Sequence, residues 1–352
     1  MLIKLDKFKK LNSYKTSFKL KSLFFEEIVK LNNYHKKNSE LYSNIVKIKN
    51  KDKISKIEEL PFLPTRIFKS LDLKTIDNKN IFKILESSGT GGNVSKIFLD
   101  KDNANTQIKI LTKIFKDFFD IKTRLPMIIF DKKKSNNKNF KHSAREAAYT
   151  GFSFMGKEHF FLFDDNENVK VNELKNFLKK FKNTKIFLFG LTSIVWKSLL
   201  KLDNIKFDLK NSILIHGGGW KKIIDQNANK KNFNSLIKKK FNITSIHDYY
   251  GMVEQTGSIF FECEKGYFHT SFFSDIIIRD KYFDKQKNKN IGLIQIISLI
   301  PTSYPGHSII TEDQGAICGE DNCKCGRSGK YFKVHGRIAK SEIRGCGNVD
   351  DY

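Results

Sequence analysis

The sequence predicts an α/β protein of helix-covered sheets with a β-rich final third. Short apolar runs bounded by glycine and polar clusters alternate with helix-length segments from about residue 81 onward. Beyond about residue 256 the pattern turns to strands with few helices, as in antiparallel β structure. The third observation is an N-terminal stretch without strand-like alternation, in which Phe24, Phe25, Ile28, Val29 and Leu31 suit an amphipathic helix.

Each element follows from these patterns. Pro61 and Pro64 interrupt the helical region before Ile67 and Phe68. The expected strands of the middle section are 81–85, 96–99, 127–130, 185–188 and 212–215, with helices over 103–119 and 171–181 between them. The β-rich end is expected to hold strands at 258–262, 268–273, 275–278 and 293–297. The implied organisation is a helical region over 1–80, a core over 81–335 and a tail over 336–352.

Bulk properties narrow the function classes. A chain of 352 residues, 39% hydrophobic and 13% aromatic, can bury a substantial core, which excludes wholesale disorder. Residues 1–20 are studded with lysines and lack the apolar run of a signal peptide. The stretch 291–300 carries Gln295 and is too short for a membrane helix, so the expected location is the cytoplasm. Sixty-four Lys and Arg against 38 Asp and Glu give +26. The lysines are spread over the chain alongside abundant Asn, Ile and Phe, so they read as a solvated surface and not as a nucleic-acid site. An oligomer is compatible with all of this.

Four stations carry chemistry. Ser87-Ser88-Gly89-Thr90-Gly91-Gly92-Asn93-Val94-Ser95-Lys96 joins two expected strands. Its glycines let the backbone approach a ligand, its hydroxyls and N–H groups suit phosphate oxygens, and Lys96 adds a cation. The Walker spacing is absent and a strand follows, not a helix. His216-Gly217-Gly218-Gly219-Trp220 ends a strand, where a flat group can lie against the backbone. In Asp248-Tyr249-Tyr250-Gly251-Met252-Val253-Glu254-Gln255, a tyrosine pair offers a stacking face, and Glu254 is a hard ligand suited to Mg²⁺. Asp313 in Thr311-Glu312-Asp313 can accept bonds from ribose hydroxyls. A hairpin, a tight turn and a buried tyrosine pair are the bland alternatives. His142, Ser143 and Arg145 could border an acyl site, although Ser143 as a helix cap is more economical. No Gly-x-Ser-x-Gly elbow accompanies them.

Cys263, Cys318, Cys323, Cys325 and Cys346 all lie late in the chain. Without an export signal, such clustering favours metal or nucleophile over disulfide. Gly345 and Gly347 give Cys346 a flexible arm, and Arg344 favours its thiolate.

In this order the stations resemble the adenylate-forming superfamily: the 87–96 loop, Tyr250-Gly251-Met252-Val253-Glu254, Thr311-Glu312-Asp313 and Gly336-Arg337. Within it, the chain is most similar to the acyl-protein synthetases of luminescence fatty-acid reductase complexes, with phenylacetate–CoA ligases next. That resemblance rests on Leu60-Pro61-Phe62-Leu63-Pro64, Ser143-Ala144-Arg145, His216 to Lys222, Asp248 to Gly257 and Arg344-Gly345-Cys346. It implies activation of a carboxylic acid, a fatty acid in that family, as an acyl-adenylate, with ATP and Mg²⁺. It also implies an acyl-accepting partner protein such as an acyl reductase.

The implied roles are these. Ser87, Ser88, Gly89, Thr90, Gly91 and Lys96 hold phosphates, and Gly217, Gly218 and Gly219 border adenine and the acyl group. Tyr249 or Tyr250 stacks on adenine, Glu254 holds Mg²⁺, Asp313 and Arg337 contact ribose, and Cys346 takes the acyl group as a thioester. Similarity to phenylacetate–CoA ligase relatives implies a structural Zn²⁺ on Cys263, His269, Cys323 and Cys325, with Cys318 as an alternative ligand. Two departures stand out. Val94-Ser95-Lys96 replaces the superfamily's usual Pro-Lys, and the hinge motif lacks its Asp pair. The chain ends at Tyr352, so the expectation is an adenylate-forming large domain whose small C-terminal domain is missing or a stub. An acyl– or aryl–CoA ligase and a non-catalytic binding protein on the same fold are the alternatives.

Overall fold

The computed structural model describes residues 11–47, 53–87, 94–133, 149, 151–202, 206–219 and 229–338. Among these the chain forms two compact units. One holds the residues up to Ile121 together with those from Tyr250 on, and the other runs Lys122–Tyr249.

The first unit opens with α1 (Phe18–Asn38), whose first turn is capped by the Ser17 hydroxyl accepting from the Leu20 N–H at 3.3 Å. Phe24, Ile28, Leu31 and His35 recur at helical spacing and form its buried face. After α2 (Glu40–Lys47), the short β1 (Leu63–Pro64) and α3 (Ile67–Ser70) lead to an antiparallel hairpin, β2 (Lys83–Glu86) and β3 (Lys96–Leu99). The next helix, α4 (Lys101–Phe119), is capped by Asp100 and ends on left-handed Asp120.

The second unit is an all-parallel sheet in the order β5-β4-β6-β7-β8: β4 is Leu125–Lys132, β5 Gly156–Phe163, β6 Phe187–Leu191, β7 Ile213–Gly217 and β8 Ser245–Gly251, whose last two residues lie in the first unit. Its central strands are buried along their whole length, as a parallel sheet requires when helices cover it. Those helices are α5 (Val171–Lys180), α6 (Thr192–Lys201) and α7 (Lys230–Phe241). Phe130, Leu188, Trp196, Leu214 and Phe233 anchor the shared core.

Back in the first unit, β9 (Ile259–Phe261) and β10 (Phe268–His269) precede an antiparallel meander. Its strands are β11 (Ser274–Arg279), β12 (Gly292–Ser298), β13 (Ser308–Glu320) and β14 (Lys330–Arg337). β1 adds to β13 in parallel, and β10 pairs with β14. One core, containing Ile276, Ile294, Ile296, Ile317 and Phe332, lies with Phe260. A separate one joins Ile309 to Tyr42, Phe68, Leu99 and Tyr304.

The sequence reading located most of these segments within a few residues. It placed a strand over 268–273, but the strand stops at His269, because Ser271 turns the chain with its side chain accepting from Phe273 N at 3.3 Å. β5, β8 and β14 went unrecognised: Lys157, Glu158 and His159 give β5 a polar start, and β14 alternates with Lys330, Lys333 and His335. The aromatic pair and aspartate of β8 read as a ligand station.

A buried histidine pair ties α1 to the meander. His35 and His307 stack at 4.8 Å, while Tyr42 Oη donates to Asn32 Oδ1 at 2.7 Å and lies 3.3 Å from His307 Nε2. His35 Nε2, at 3.1 Å from the Pro301 carbonyl, carries the proton of that bond. Burial lowers the His35 pKa to about 3 and holds that of His307 well below the usual range. Both rings are therefore neutral when folded and take up protons on unfolding, so their contribution is complete above the ordinary value of 6.5 and is lost as pH falls below it. Each should cost about 2 kcal/mol of stability by about pH 5. Urea unfolding at about pH 7.5 and about pH 5 measures this, and His35→Gln with His307→Gln should flatten the difference.

Candidate functional site

In the first unit, the loop that follows β2 is closed at its neck by Ser87 and Ser95. The Ser87 N–H donates to the Ser95 carbonyl at 3.1 Å, and the Ser95 N–H donates to Ser87 Oγ at 2.8 Å. Ser95 is fully buried and its hydroxyl donates to Glu254 Oε1 at 2.7 Å. Glu254 itself is 3% exposed, on a 3₁₀ turn over Val253–Gln255. The Tyr304 hydroxyl holds that turn by donating to the Glu254 carbonyl at 3.0 Å, and Gln255 Nε2 donates to the carbonyls of Ile296 and Gly306. Lys96, next to the neck, is exposed.

A second polar chain crosses the meander. Asp313 and Arg337 face each other in the β13–β14 register, with Arg337 Nε donating to Asp313 Oδ1 at 3.1 Å. Tyr250 Oη donates to Asp313 Oδ2 at 2.8 Å. The Tyr250 ring sits among Phe260, Phe268 and Phe332 at 6.1–6.2 Å. Burial, and then the Asp313 charge, push its hydroxyl well above the ordinary range, so it stays a donor. The Asp313 N–H is held by Thr311 Oγ1 at 3.1 Å. The carboxylate is thus oriented by two donors and keeps lone pairs for vicinal hydroxyls.

The second unit contributes the C-terminal rim of its parallel sheet. β4 and β6 are neighbours whose connections leave in opposite directions, a topological switch point. At the rim, the Tyr249 ring lies against Gly217, where an added Cβ would sit 2.3 Å from Tyr249 Cε1. Phe152 packs edge-on to Tyr249 at 4.8 Å. Gly218 and Gly219 have φ of 92° and 74°, a left-handed turn that favours glycine. Thr192 Oγ1 donates to the Gly217 carbonyl at 2.9 Å and lies 2.9 Å from His216 Nδ1. Burial lowers the pKa of His216 to about 3, with Lys230 and His247 adding to the shift, so the ring is neutral.

Cys263, His269, Cys323 and Cys325 bring one ligand atom each within 4.8 Å of one another. Two matching turns build the cluster: Gly266 N–H bonds the Cys263 carbonyl at 2.8 Å, and Gly326 N–H bonds that of Cys323 at 2.9 Å. Both glycines are left-handed, with φ of 77° and 80°. The doubled Cys-x-x-Gly pattern is therefore a signal that the sequence reading passed over in favour of Cys-x-Cys. His269 is buried, its Nε2 3.3 Å from Cys325 Sγ and its Nδ1 without a hydrogen-bond partner. Without an ion, burial raises the Cys263 thiol to about 12 and lowers the His269 pKa to about 4. Burial also raises Cys325, but hydrogen bonds from Arg327 outweigh it and the net shift is downward. Three sulfurs and one imidazole at this spacing fit a tetrahedral cation. Cys318 lies outside the cluster, its Sγ 3.7 Å from the Ala316 carbonyl.

Of the residues singled out from sequence, Ser88, Gly89, Thr90, Gly91, His142, Ser143, Arg145, Trp220 and Cys346 lie outside the described residues.

Comparison with known proteins matches residues 10–351 to the family described as "Acyl-protein synthetase, LuxE". The long-chain-fatty-acid–luciferin-component ligase of Aliivibrio fischeri is 28% identical over 285 residues, covering 76% of this chain and 71% of that protein. Its Vibrio harveyi counterpart is 24% identical over 305 residues, covering 83% and 78%. Among solved structures, an open conformation of 2-hydroxyisobutyryl-CoA ligase in complex with 2-HIB-AMP and CoA superposes with a TM-score of 0.69. It is 13% identical, covering 94% of this chain and 77% of that one. At that identity the likeness speaks for the fold, which is that of the adenylate-forming ligases.

Gly217→Ala should displace the Tyr249 ring and cost about 1–3 kcal/mol by overpacking. Urea unfolding followed by tyrosine fluorescence measures this, and Tyr249→Ala in the same background should recover part of the loss.

Proposed function

The chain belongs to the acyl-protein synthetase family, and we propose that it activates a long-chain fatty acid as its acyl-adenylate and passes the acyl group through Cys346 to a partner protein. It is a ligase of the acid–thiol type. The observation that carries the reading is the contact of the 87–95 loop neck with Glu254 within one unit, beside the Tyr250–Asp313–Arg337 chain.

In the first half-reaction, a carboxylate oxygen attacks the α-phosphorus of ATP and pyrophosphate leaves. The chain supplies positioning and charge neutralisation, with no protein nucleophile at this step. The loop residues Ser87, Ser88, Gly89, Thr90 and Gly91, with Lys96, hold the phosphates. Asp313, aimed by Tyr250 and Arg337, accepts bonds from the ribose hydroxyls. Gly217, Gly218 and Gly219 leave room for adenine and the acyl carbonyl, with Tyr249 as the flat wall. Glu254 is the carboxylate that would hold Mg²⁺, which neutralises phosphate charge when bound. In the second half-reaction the Cys346 thiolate attacks the acyl carbon, and AMP leaves with its electron pair. The acyl acceptor, an acyl reductase or another protein, then takes the thioester-bound chain.

We read Cys263, His269, Cys323 and Cys325 as a structural Zn²⁺ site, because the donor set is closed and largely buried. The organisation into a core with a cysteine-bearing tail from 336 onward, and a cytoplasmic location, belong to the same reading. No helix among the described residues is long and apolar enough to cross a membrane.

ATP–pyrophosphate exchange over a panel of acids tests the first half-reaction: long-chain acids should support it, and Asp313→Ala should lower it about 100-fold or more. In the same reactions, labelled acid plus ATP should leave a hydroxylamine-labile acyl group on the protein; label that persists in Cys346→Ala would remove the transfer step. Protein purified without chelator should carry about one zinc per chain by elemental analysis, and Cys323→Ser should lose it.

A further inference from the structure

The sulfur cluster is braced from outside by Arg327, two residues beyond Cys325. Hydrogen bonds from its backbone N–H and from its side chain reach the Cys325 sulfur. Its Nη1 donates to Glu264 Oε2 at 3.1 Å, in the turn that begins at Cys263. Its Nη2 donates to the Phe118 carbonyl at 2.9 Å, and Cζ stands 3.9 Å from the centre of the Phe118 ring. Phe118 belongs to the last turn of α4, where main-chain carbonyls lack helical donors and a cation is favoured. One side chain, 20% exposed, thus touches both cysteine turns and the end of a helix.

We propose that Arg327 is a positioning residue for the sulfur-ligated cation, holding Cys325 in place as a ligand and joining the site to the end of α4. This rests on the reading of Cys263, His269, Cys323 and Cys325 as a zinc site. Three observations carry it. The first is charge: three thiolates and a neutral imidazole around a divalent cation leave one net negative charge, which the adjacent guanidinium offsets among largely buried groups. The second is exposure. Cys263 and Cys323 are buried and Cys325 is more open, so Cys325 is the sulfur that packing fixes least and a donor fixes most. The third is restraint. Glu264, the Phe118 carbonyl and the Phe118 ring hold the planar guanidinium, so its donors arrive already aimed. The next residue is tied as well: the Ser328 N–H donates to the Tyr14 carbonyl at 2.9 Å, and Tyr14 packs edge-on to Phe118 at 5.1 Å. A donor to a metal-bound sulfur orients the ligand and tunes the charge it passes to the metal, as outer-shell partners do.

The test uses the full chain with Zn²⁺ or Co²⁺, as the parent protein and as Arg327→Ala, Arg327→Lys, Arg327→Gln and Cys325→Ser. Affinity is measured by competition with a chromophoric chelator, and absorption records the sulfur-to-cobalt charge-transfer band. Arg327→Ala should weaken binding of both metals about 10- to 100-fold. It should also move the band to longer wavelength, because a sulfur without its donor gives up charge more readily. Arg327→Lys, which keeps the charge and one donor group, should lie between the parent protein and Arg327→Ala in both readouts. Weaker binding with an unmoved band would assign the loss to packing on α4 and overturn the contact with sulfur. Unchanged affinity and band in Arg327→Ala, with metal lost in Cys325→Ser, would overturn the positioning role and leave the zinc reading standing. A parent protein that binds neither metal, or Cys325→Ser binding as tightly as the parent, would overturn the zinc reading and the proposal with it. If Arg327→Ala does not fold, Arg327→Gln should bind metal less tightly than Arg327→Lys, and equal affinities would count against the role.

Discussion

A carboxylate taken out of water has to be paired, and Glu254 is the buried acid on which the candidate site turns. Leaving such a group without a donor costs several kcal/mol. The chain meets that constraint with Ser95 on the side chain and Tyr304 on the backbone. Meeting it draws together three segments that are remote in sequence: the loop neck after β2, the turn after β8 and the Ser303–Gly306 approach to β13.

β13 extends that logic. At thirteen residues it is long enough to carry Asp313 opposite Arg337 and then run on towards the Cys323 turn. Its register shifts after Gln314 and Ile317 bend the strand, and Gly315 sits where a Cβ would lie 2.5 Å from the Lys333 carbonyl. One strand thus links the Asp313 carboxylate to the sulfur cluster. A cation there would clamp the β10 end and the β13–β14 turn together.

The parallel sheet of the second unit works by a different rule. Its central strands β6 and β7 are buried throughout, so polar groups and glycines collect at the C-terminal rim, where the chain turns into helices. Thr192, His216, Gly217 and Tyr249 occupy that rim, and the close fit of glycine to tyrosine ring makes it flat.

Much of this was legible in the amino-acid order. Apolar periodicity located α4, α5, β3, β4, β11 and β12, because burial on one or two faces leaves a period in the sequence. Composition of the loops singled out the 87–96 stretch, Glu254, Asp313 and the cysteines, and the structure brings Ser95 to Glu254 and groups Cys263, Cys323 and Cys325 with His269. Other features were not legible. β5 begins with charged residues at a sheet edge, where no burial pattern is imposed. The choice between Tyr249 and Tyr250 depends on alternation in β8: adjacent side chains point to opposite faces, one to Gly217 and the other to Asp313. The serine at position 95 reads in sequence as a departure from a motif, and its partner lies 159 residues away. The sequence by itself determined which residues can donate, accept, ligate or be buried, since those are properties of single side chains. Only the tertiary structure decided which of them meet, because hydrogen bonds and metal ligation depend on distances of a few ångströms that chain separation does not encode.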